Sequence, residues 1–264
     1  MTDTDHRRVV RYRDGVAEAD DDSIVAEGPM EIRLLGVPLA VLMRTPGADH
    51  ELVTGFALTE GIVLSPAEIA AIDPIGGKPP DSRWELRLVD GVTVDPERFR
   101  RNLYATSSCG VCGKASIDAV RVTAGIAPAG PRIPAALLTS LSASMRGHQP
   151  AFDSTGGLHA AAVFAPDGTL LVVREDIGRH NAVDKVVGAL ATASWPIGER
   201  ILLVSGRVSF EIVQKAAVAG IPFVAGISAV SSLAVDLADE LGLTVVGFLR
   251  GNSFNAYAGA DRIF

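Results

Sequence analysis

From Leu158 to Leu249 the chain alternates short apolar runs with segments of helical pattern, and this rhythm restricts the fold more than any other feature. His159 to Ala165 is expected as a strand, Pro166-Asp167-Gly168 as a turn and Leu170 to Arg174 as a second strand. A helix over Asn181 to Ala191, a strand over Arg200 to Val204 and a helix over Ser209 to Ala219, stopped by Gly220, come next. The pattern closes with a strand over Phe223 to Ile227, a helix over Ser231 to Leu241 and a strand over Thr244 to Leu249. Strands joined by helices through short connections lie parallel in one sheet with helices on its faces. With a helix over Ala135 to Met145 in front, residues 135–264 are therefore expected to form an α/β layered core with a largely parallel sheet.

The chain before residue 107 follows a different pattern. Met30 to Arg44 alternates like paired strands, with Gly36-Val37-Pro38 as the turn. Asp49 stands where an N-cap would start a helix running to about Glu60, with Leu52, Val53, Phe56 and Ala57 on its apolar face. Ser65-Pro66-Ala67-Glu68 has the spacing of a capping box with proline at the first helical position. Trp84 to Val89 and Val92 to Val94, separated by Asp90-Gly91, read as a hairpin. Residues 26–106 are thus expected as a smaller N-terminal, β-rich α+β region. Residues 1–25, with the run Asp20-Asp21-Asp22, are expected to be a flexible, solvated segment. Residues 107–134 are expected as a cysteine-bearing loop followed by a linker rich in Pro and Gly.

Composition removes several function classes. Of 264 residues, 48% are hydrophobic and 21% charged, enough for a sizeable core and unlike a disordered chain. No apolar run approaches the roughly 20 residues that span a bilayer, and no apolar stretch follows the charged N-terminus. The expectation is a cytoplasmic protein without membrane attachment. A net charge of −7 argues against a nucleic-acid binder. Two cysteines do not make a secreted disulfide framework; in a cytosolic chain they point to sulfur, redox or metal chemistry.

Ligands of layered α/β proteins bind where the loops gather at the carboxyl ends of the strands. Here those loops read Arg174-Glu175-Asp176-Ile177-Gly178-Arg179-His180-Asn181, Ser205-Gly206-Arg207, Ser228-Ala229-Val230-Ser231-Ser232 and Arg250-Gly251-Asn252-Ser253. Glycines let backbone N–H groups approach an anion, helix starts favour negative charge, and guanidinium forks match phosphate oxygens. Four loops of the same chemistry, with four arginines, point to a nucleotide or another phosphorylated ligand. Arg207 and Arg250 each follow a strand end and are the first candidates for phosphate contacts. Arg179 and His180 sit near a helix start and are candidates too, with a capping or core role open for His180. His159 is open between a buried strand residue and a ligand contact.

The cysteines lie in Ser107-Ser108-Cys109-Gly110-Val111-Cys112-Gly113-Lys114. A structural zinc site needs four ligands, and no further cysteine is present to complete one within the chain. A thioredoxin-like redox site would sit after an early strand of a small βαβ domain, which is not the context here. A persulfide carrier needs an exposed thiolate on a mobile loop, and the flanking glycines and Lys114 suit that demand. All three remain open on the loop alone.

A set of longer motifs resembles one family. Cys109-Gly-Val-Cys-Gly-Lys114, Thr155-Gly-Gly-Leu-His-Ala160, the run from Arg174 to Lys185, Ser205-Gly-Arg207 and the tail Val246-Gly-Phe-Leu-Arg-Gly-Asn-Ser-Phe-Asn-Ala-Tyr257 occur in the order seen in the formate dehydrogenase accessory sulfurtransferase family, FdhD. The resemblance implies a cytidine-deaminase-like α/β sandwich. It implies a sulfurtransferase that accepts a persulfide on Cys109 from a cysteine desulfurase; on the loop's own chemistry Cys112 could release that sulfur by attacking the persulfide, or protect the loop as a disulfide. The acceptor would be the molybdenum or tungsten bis(molybdopterin guanine dinucleotide) cofactor, held as a bound substrate for delivery to a formate dehydrogenase. It further implies a homodimer, guanosine diphosphate as a mimic of the cofactor's nucleotide ends, and cofactor binding by Phe248, Leu249, Arg250, Gly251, Asn252 and Ser253. Ser205, Arg207, Arg179 and His180 join that set through the loop chemistry. No metal ligand is expected: the His-x-Glu and Pro-Cys-x-x-Cys pair of zinc deaminases is missing, since Ala160 and Ala161 follow His159. The alternative from another class is a cofactor-binding chaperone whose cysteines are dispensable.

Overall fold

A computed structural model describes residues 3–95 and 130–264. The cysteine loop, with Cys109 and Cys112, and the linker after it as far as residue 129 lie outside the described residues. The described chain forms a two-stranded ribbon, a four-stranded sheet and a six-stranded sheet.

The ribbon pairs β1 (Thr4–Arg13) with β2 (Val16–Val25), where a flexible segment was expected. Asp14 and Gly15 both have positive φ, the geometry of a tight hairpin turn, and an Asp-Gly pair between two strand-length runs is its signal. Most of the ribbon is exposed.

The four-stranded sheet has the order β4-β3-β6-β5 and carries the N-terminal core. β3 (Gly28–Leu34) and β4 (Val37–Arg44) form the expected hairpin. β5 (Ile69–Gly76) and β6 (Ser82–Leu88) complete the sheet. β6 pairs with β5 before it and runs parallel to β3, so the expected hairpin with Val92 to Val94 does not form. Ser65 accepts a hydrogen bond from the Ala67 N–H and Glu68 from the Leu64 N–H, but these caps close only a single 3-10 turn before β5. Helix α1 (Asp49–Thr59) packs Leu52, Val53, Phe56 and Ala57 against Ile32, Leu34 and Leu86. Its N-cap is Ala48 in the left-handed conformation; Asp49 instead receives two hydrogen bonds of 3.0 Å from the buried Arg44.

The six-stranded sheet has the order β12-β11-β10-β9-β7-β8. Its strands are β7 (His159–Phe164), β8 (Leu170–Asp176), β9 (Ile201–Val204), β10 (Phe223–Gly226), β11 (Thr244–Arg250) and β12 (Ser253–Ala258). The expectation of a largely parallel sheet is corrected: only β9, β10 and β11 pair in parallel. β7 and β8 form a hairpin, β7 lies antiparallel to β9, and the tail folds back as β12 on β11. The parallel rule holds where helices join strands and fails where a tight turn does.

Helices α4 (Arg179–Ala191), α5 (Phe210–Val218) and α6 (Ser232–Leu241) cover one face of this sheet. There Ala161, Val163, Leu202, Val204, Val224 and Val245 meet Val183, Val187, Ile212 and Leu237. On the other face Ala162, Phe164, Leu203 and Phe223 meet Leu138, Leu141 and Met145 of α2 (Ala135–Arg146). β9 and β10 are buried on both faces, which is why they read as unbroken apolar runs. A short helix, α3 (Pro150–Thr155), leads into β7.

The two sheets are joined by α1 lying on α4. A Cβ on Gly55 would overlap the Asp184 carbonyl, and one on Gly188 would overlap the Glu51 carbonyl, so both glycines set the close approach. Alanine at either position forces the helices apart. We expect Gly55→Ala or Gly188→Ala to lose about 3 kcal/mol or more of stability. Urea unfolding checks this against Gly36→Ala, whose Cβ meets open space and whose cost comes from its backbone conformation alone.

Candidate functional site

β7 is antiparallel to both its neighbours, so β8 runs in the same direction as β9, β10 and β11. Four strand ends therefore open onto one edge. The segments after β8, β9, β10 and β11 gather there, joined by His159 at the start of β7 and Ser253 at the start of β12. Backbone hydrogen bonds fix the loops to one another. Val208 N–H donates to Ala229 O and Ser231 N–H to Val208 O, each at 3.0 Å, and Phe248 N–H donates to Ser228 O at 2.9 Å.

The structure places the predicted residues unequally. Phe248 has φ 53° and its side chain is exposed. A left-handed aromatic residue costs roughly 1–3 kcal/mol, a strain that clusters at functional sites. Leu249 is fully buried in the core under α2, so only its backbone can face a ligand. Arg250 is exposed; its Nε donates to Ile227 O at 3.0 Å and its guanidinium lies 5.8 Å from the Phe248 ring centre. Gly251 and Asn252 form the exposed turn into β12, and Ser253 Oγ donates to Arg250 O at 3.3 Å. Ser205 Oγ accepts from Ala160 N–H at 2.9 Å, which anchors the loop that presents the exposed Arg207. Arg179 and His180 start α4, whose N-cap, Gly178, offers no side-chain cap. Of the four loop arginines, Arg174 is withdrawn: it binds both carboxylate oxygens of Glu51 on α1, at 2.6 and 2.7 Å.

Most of the run from Arg174 to Lys185 positions the edge rather than lining it. Glu175 accepts from the Ala151 and Phe152 N–H groups at the start of α3. Asp176, fully buried, accepts from Gly178 N–H, Asn181 Nδ2 and Thr45 N–H, and lies 2.7 Å from Lys185 Nζ. Lys185 Nζ also donates to Thr45 O at 2.9 Å. One residue before Lys185, Asp184 accepts from Thr59 Oγ1 and Lys215 Nζ, and Lys215 also reaches Glu60. Burial pushes the Asp176 carboxyl upward, against the pull of the Lys185 ammonium. The two buried clusters tie α4 to the N-terminal region on one side and to α5 on the other. The start of α4, with Arg179 and His180, lies at the edge.

Two further groups stand on this edge: His159, left open by the sequence between a buried strand residue and a ligand contact, and Glu211, which the sequence did not select. His159 packs against Gly206: a Cβ there would stand 3.3 Å from His159 Nδ1 and 3.5 Å from Arg179 Cδ. Burial, then the charges of Arg179, His180 and Arg207, hold the His159 imidazole below its ordinary pKa, opposed only by Asp176. Glu211 at the start of α5 receives a 2.7 Å hydrogen bond from Ser209 Oγ and lies 3.8 Å from His180 Nε2. That nitrogen is buried and makes no hydrogen bond, and the Glu211 carboxylate lies beside it beyond hydrogen-bond length. Burial alone would raise the Glu211 carboxyl, but His180 and Ser209 outweigh it and bring it to about 2. His159 was visible as a candidate from its place at a strand start; nothing in the local pattern marks Glu211.

Fold and edge together define a mixed α/β protein in which a cation-rich ring of loops is built over one end of a six-stranded sheet. The chain belongs to the FdhD/NarQ family, whose profile matches residues 25–264. It is 53% identical to the sulfur carrier protein FdhD of Streptomyces coelicolor, over 98% of this chain and 95% of that protein. It is 49% identical to the sulfur carrier protein FdhD of Mycolicibacterium paratuberculosis over the whole of both. A crystal structure from Desulfotalea psychrophila, of a candidate formate dehydrogenase accessory protein, superposes with a TM-score of 0.76 across 99% of each chain at 24% identity, a likeness of fold.

Two expectations follow from the buried charges. Lys185→Met leaves Asp176 buried without its counter-charge and should cost about 3–5 kcal/mol in denaturant unfolding, much of it recovered in the Asp176→Leu/Lys185→Met double variant. Glu211 is held below its ordinary value of 4.5, so its anion stabilises the folded state above that pH and the contribution fades as pH falls toward about 2. Melting temperatures of wild type and Glu211→Gln should differ at neutral pH and converge across that acid range.

Proposed function

We propose that the protein is a sulfur carrier that loads a persulfide on Cys109 from a cysteine desulfurase. It then passes the sulfur to a molybdenum or tungsten bis(molybdopterin guanine dinucleotide) cofactor, bound as substrate, for a formate dehydrogenase. The observation that carries the reading is the convergence of Arg179, Arg207 and Arg250 with open backbone on one loop edge, in a family whose relatives are named sulfur carriers. Guanine dinucleotide arms bring diphosphates, and guanidinium forks beside glycine backbone suit them. Close packing shapes the edge beside the arginines: Gly206 lies against His159 and Arg179, and a side chain on Gly247 would crowd Val230 and Tyr257 next to Phe248.

In the loading step the Cys109 thiolate attacks the outer sulfur of the donor persulfide. The donor's S–S bond breaks and its cysteine leaves as a thiolate. In the release step the Cys112 thiolate attacks the inner sulfur of the Cys109 persulfide. A Cys109–Cys112 disulfide forms and the outer sulfur leaves as hydrosulfide, at the oxidation level of a metal sulfido ligand. A dithiol reductant then restores the pair.

The reading extends to a cytoplasmic homodimer and to a cytidine-deaminase-like layering of the core, supported by helices on both faces of the mixed sheet. No helix among the described residues is long and apolar enough to cross a membrane.

Incubation with a cysteine desulfurase and cysteine should add one sulfur to the intact mass, and Cys109→Ala should abolish the adduct. An unmodified wild type would overturn the carrier role and leave a chaperone. Arg207→Ala and Arg250→Ala should each weaken guanosine diphosphate binding about tenfold, the loss of roughly one charge-assisted contact, while loading is unchanged. Loss of binding and loading together in a folded variant would overturn this division of labour.

A further inference from the structure

We propose that His159 is a ligand-binding residue of this edge and that it takes up a proton when a diphosphate binds beside it. The inference rests on the nucleotide reading above and adds to it a residue and a proton.

The geometry places His159 at the first position of β7, level with the carboxyl end of β8, where its partner in register is Asp176. Its ring stands close to the buried Gly206, where a Cβ would lie 3.3 Å from Nδ1 and the imidazole would have to give by a few tenths of an ångström. The charged and titratable groups around it are Arg179 and His180 on α4, Arg207 on the loop after β9, and Asp176 at the end of β8. Asp176 is already engaged by Lys185, Asn181 and two backbone N–H groups, so its charge is largely answered elsewhere. His180 likewise has the Glu211 carboxylate beside it.

Half-buried among cations, the free imidazole is disfavoured as a cation, first by burial and then by Arg179. A diphosphate drawn in by the arginines reverses the sign of the local field. The imidazolium then becomes the favoured form, and its new N–H donates to a phosphate oxygen. One proton moves from solvent to the ring nitrogen and no other bond changes. Ligand affinity must then fall as pH rises, by up to about tenfold per unit between the free and bound pKa values.

The test uses the full-length protein and a guanosine diphosphate-linked sugar, whose diphosphate has no proton to exchange near neutral pH. Calorimetric titration in two buffers of different ionisation heat counts the protons taken up. Wild type should take up a fraction approaching one proton per ligand, and His159→Gln should take up none while keeping its fold and part of its affinity. Arg250→Ala should bind more weakly with the proton count unchanged. Binding without uptake in wild type, or equal uptake in His159→Gln, overturns the inference and leaves the nucleotide site standing. Failure of wild type to bind both the sugar nucleotide and guanosine diphosphate overturns the nucleotide reading and this inference with it. Should His159→Gln not fold, the imidazole Cε1–H shift of His159 in wild type, followed against pH with and without ligand, decides the matter. An unmoved titration curve refutes the proposal.

Discussion

The edge depends on one buried contact, the 2.7 Å pair between Asp176 and Lys185. Asp176 ends β8 and Lys185 lies within α4, so the pair sets where the helix starts relative to the strand. Thr45 meets both partners, with its N–H to Asp176 and its carbonyl to Lys185, so the N-terminal region is registered by the same contact. A buried pair is often no more stabilising than an apolar substitute. Its value here is directional: each oxygen of Asp176 has an assigned donor, so α4 has one orientation and Arg179 and His180 one place.

The same arrangement explains why two regions with separate cores behave as one frame. Glycines at 55 and 188 bring the α1 and α4 backbones together, and Arg174–Glu51 and Lys215–Asp184–Glu60 flank that approach with charges. Close backbone packing supplies dispersion and the ion pairs supply register. The loops above then need little internal structure. They hold one another through main-chain bonds at Val208, Ser231 and Phe248 and leave Arg207 and Arg250 in solvent.

Much of the core was legible in the sequence. The strands over 201–204 and 223–226 and the helices between them appear where apolar runs and caps put them, because burial on both faces writes itself as continuous hydrophobicity. Direction was less legible. Nothing in Leu170 to Arg174 says that β7 inserts antiparallel between β8 and β9, and the short stretch Ser253–Ala258 pairs as β12 because β11 offers an edge. The ribbon over Thr4–Val25 was passed over because charge masked its Asp14-Gly15 turn. At the site, the arginines stood out by residue type. Arg174 and Arg207 look alike in a sequence, and only the presence of Glu51 across the helix interface separates a brace from an arginine left in solvent. Glu211 was unreadable because its meaning comes from His180, on a different helix.

The ends of the core lie side by side. Ile133 bridges Ile263 in parallel, its N–H donates to Arg262 O, and Ala135 N–H donates to Phe264 O. Residues 133–264 therefore trace a closed circuit, with the start of α2 and the final residues in one seam. Such a seam works as a clasp: the segment that enters the core and the segment that leaves it hold each other, so neither can fray without releasing its neighbour.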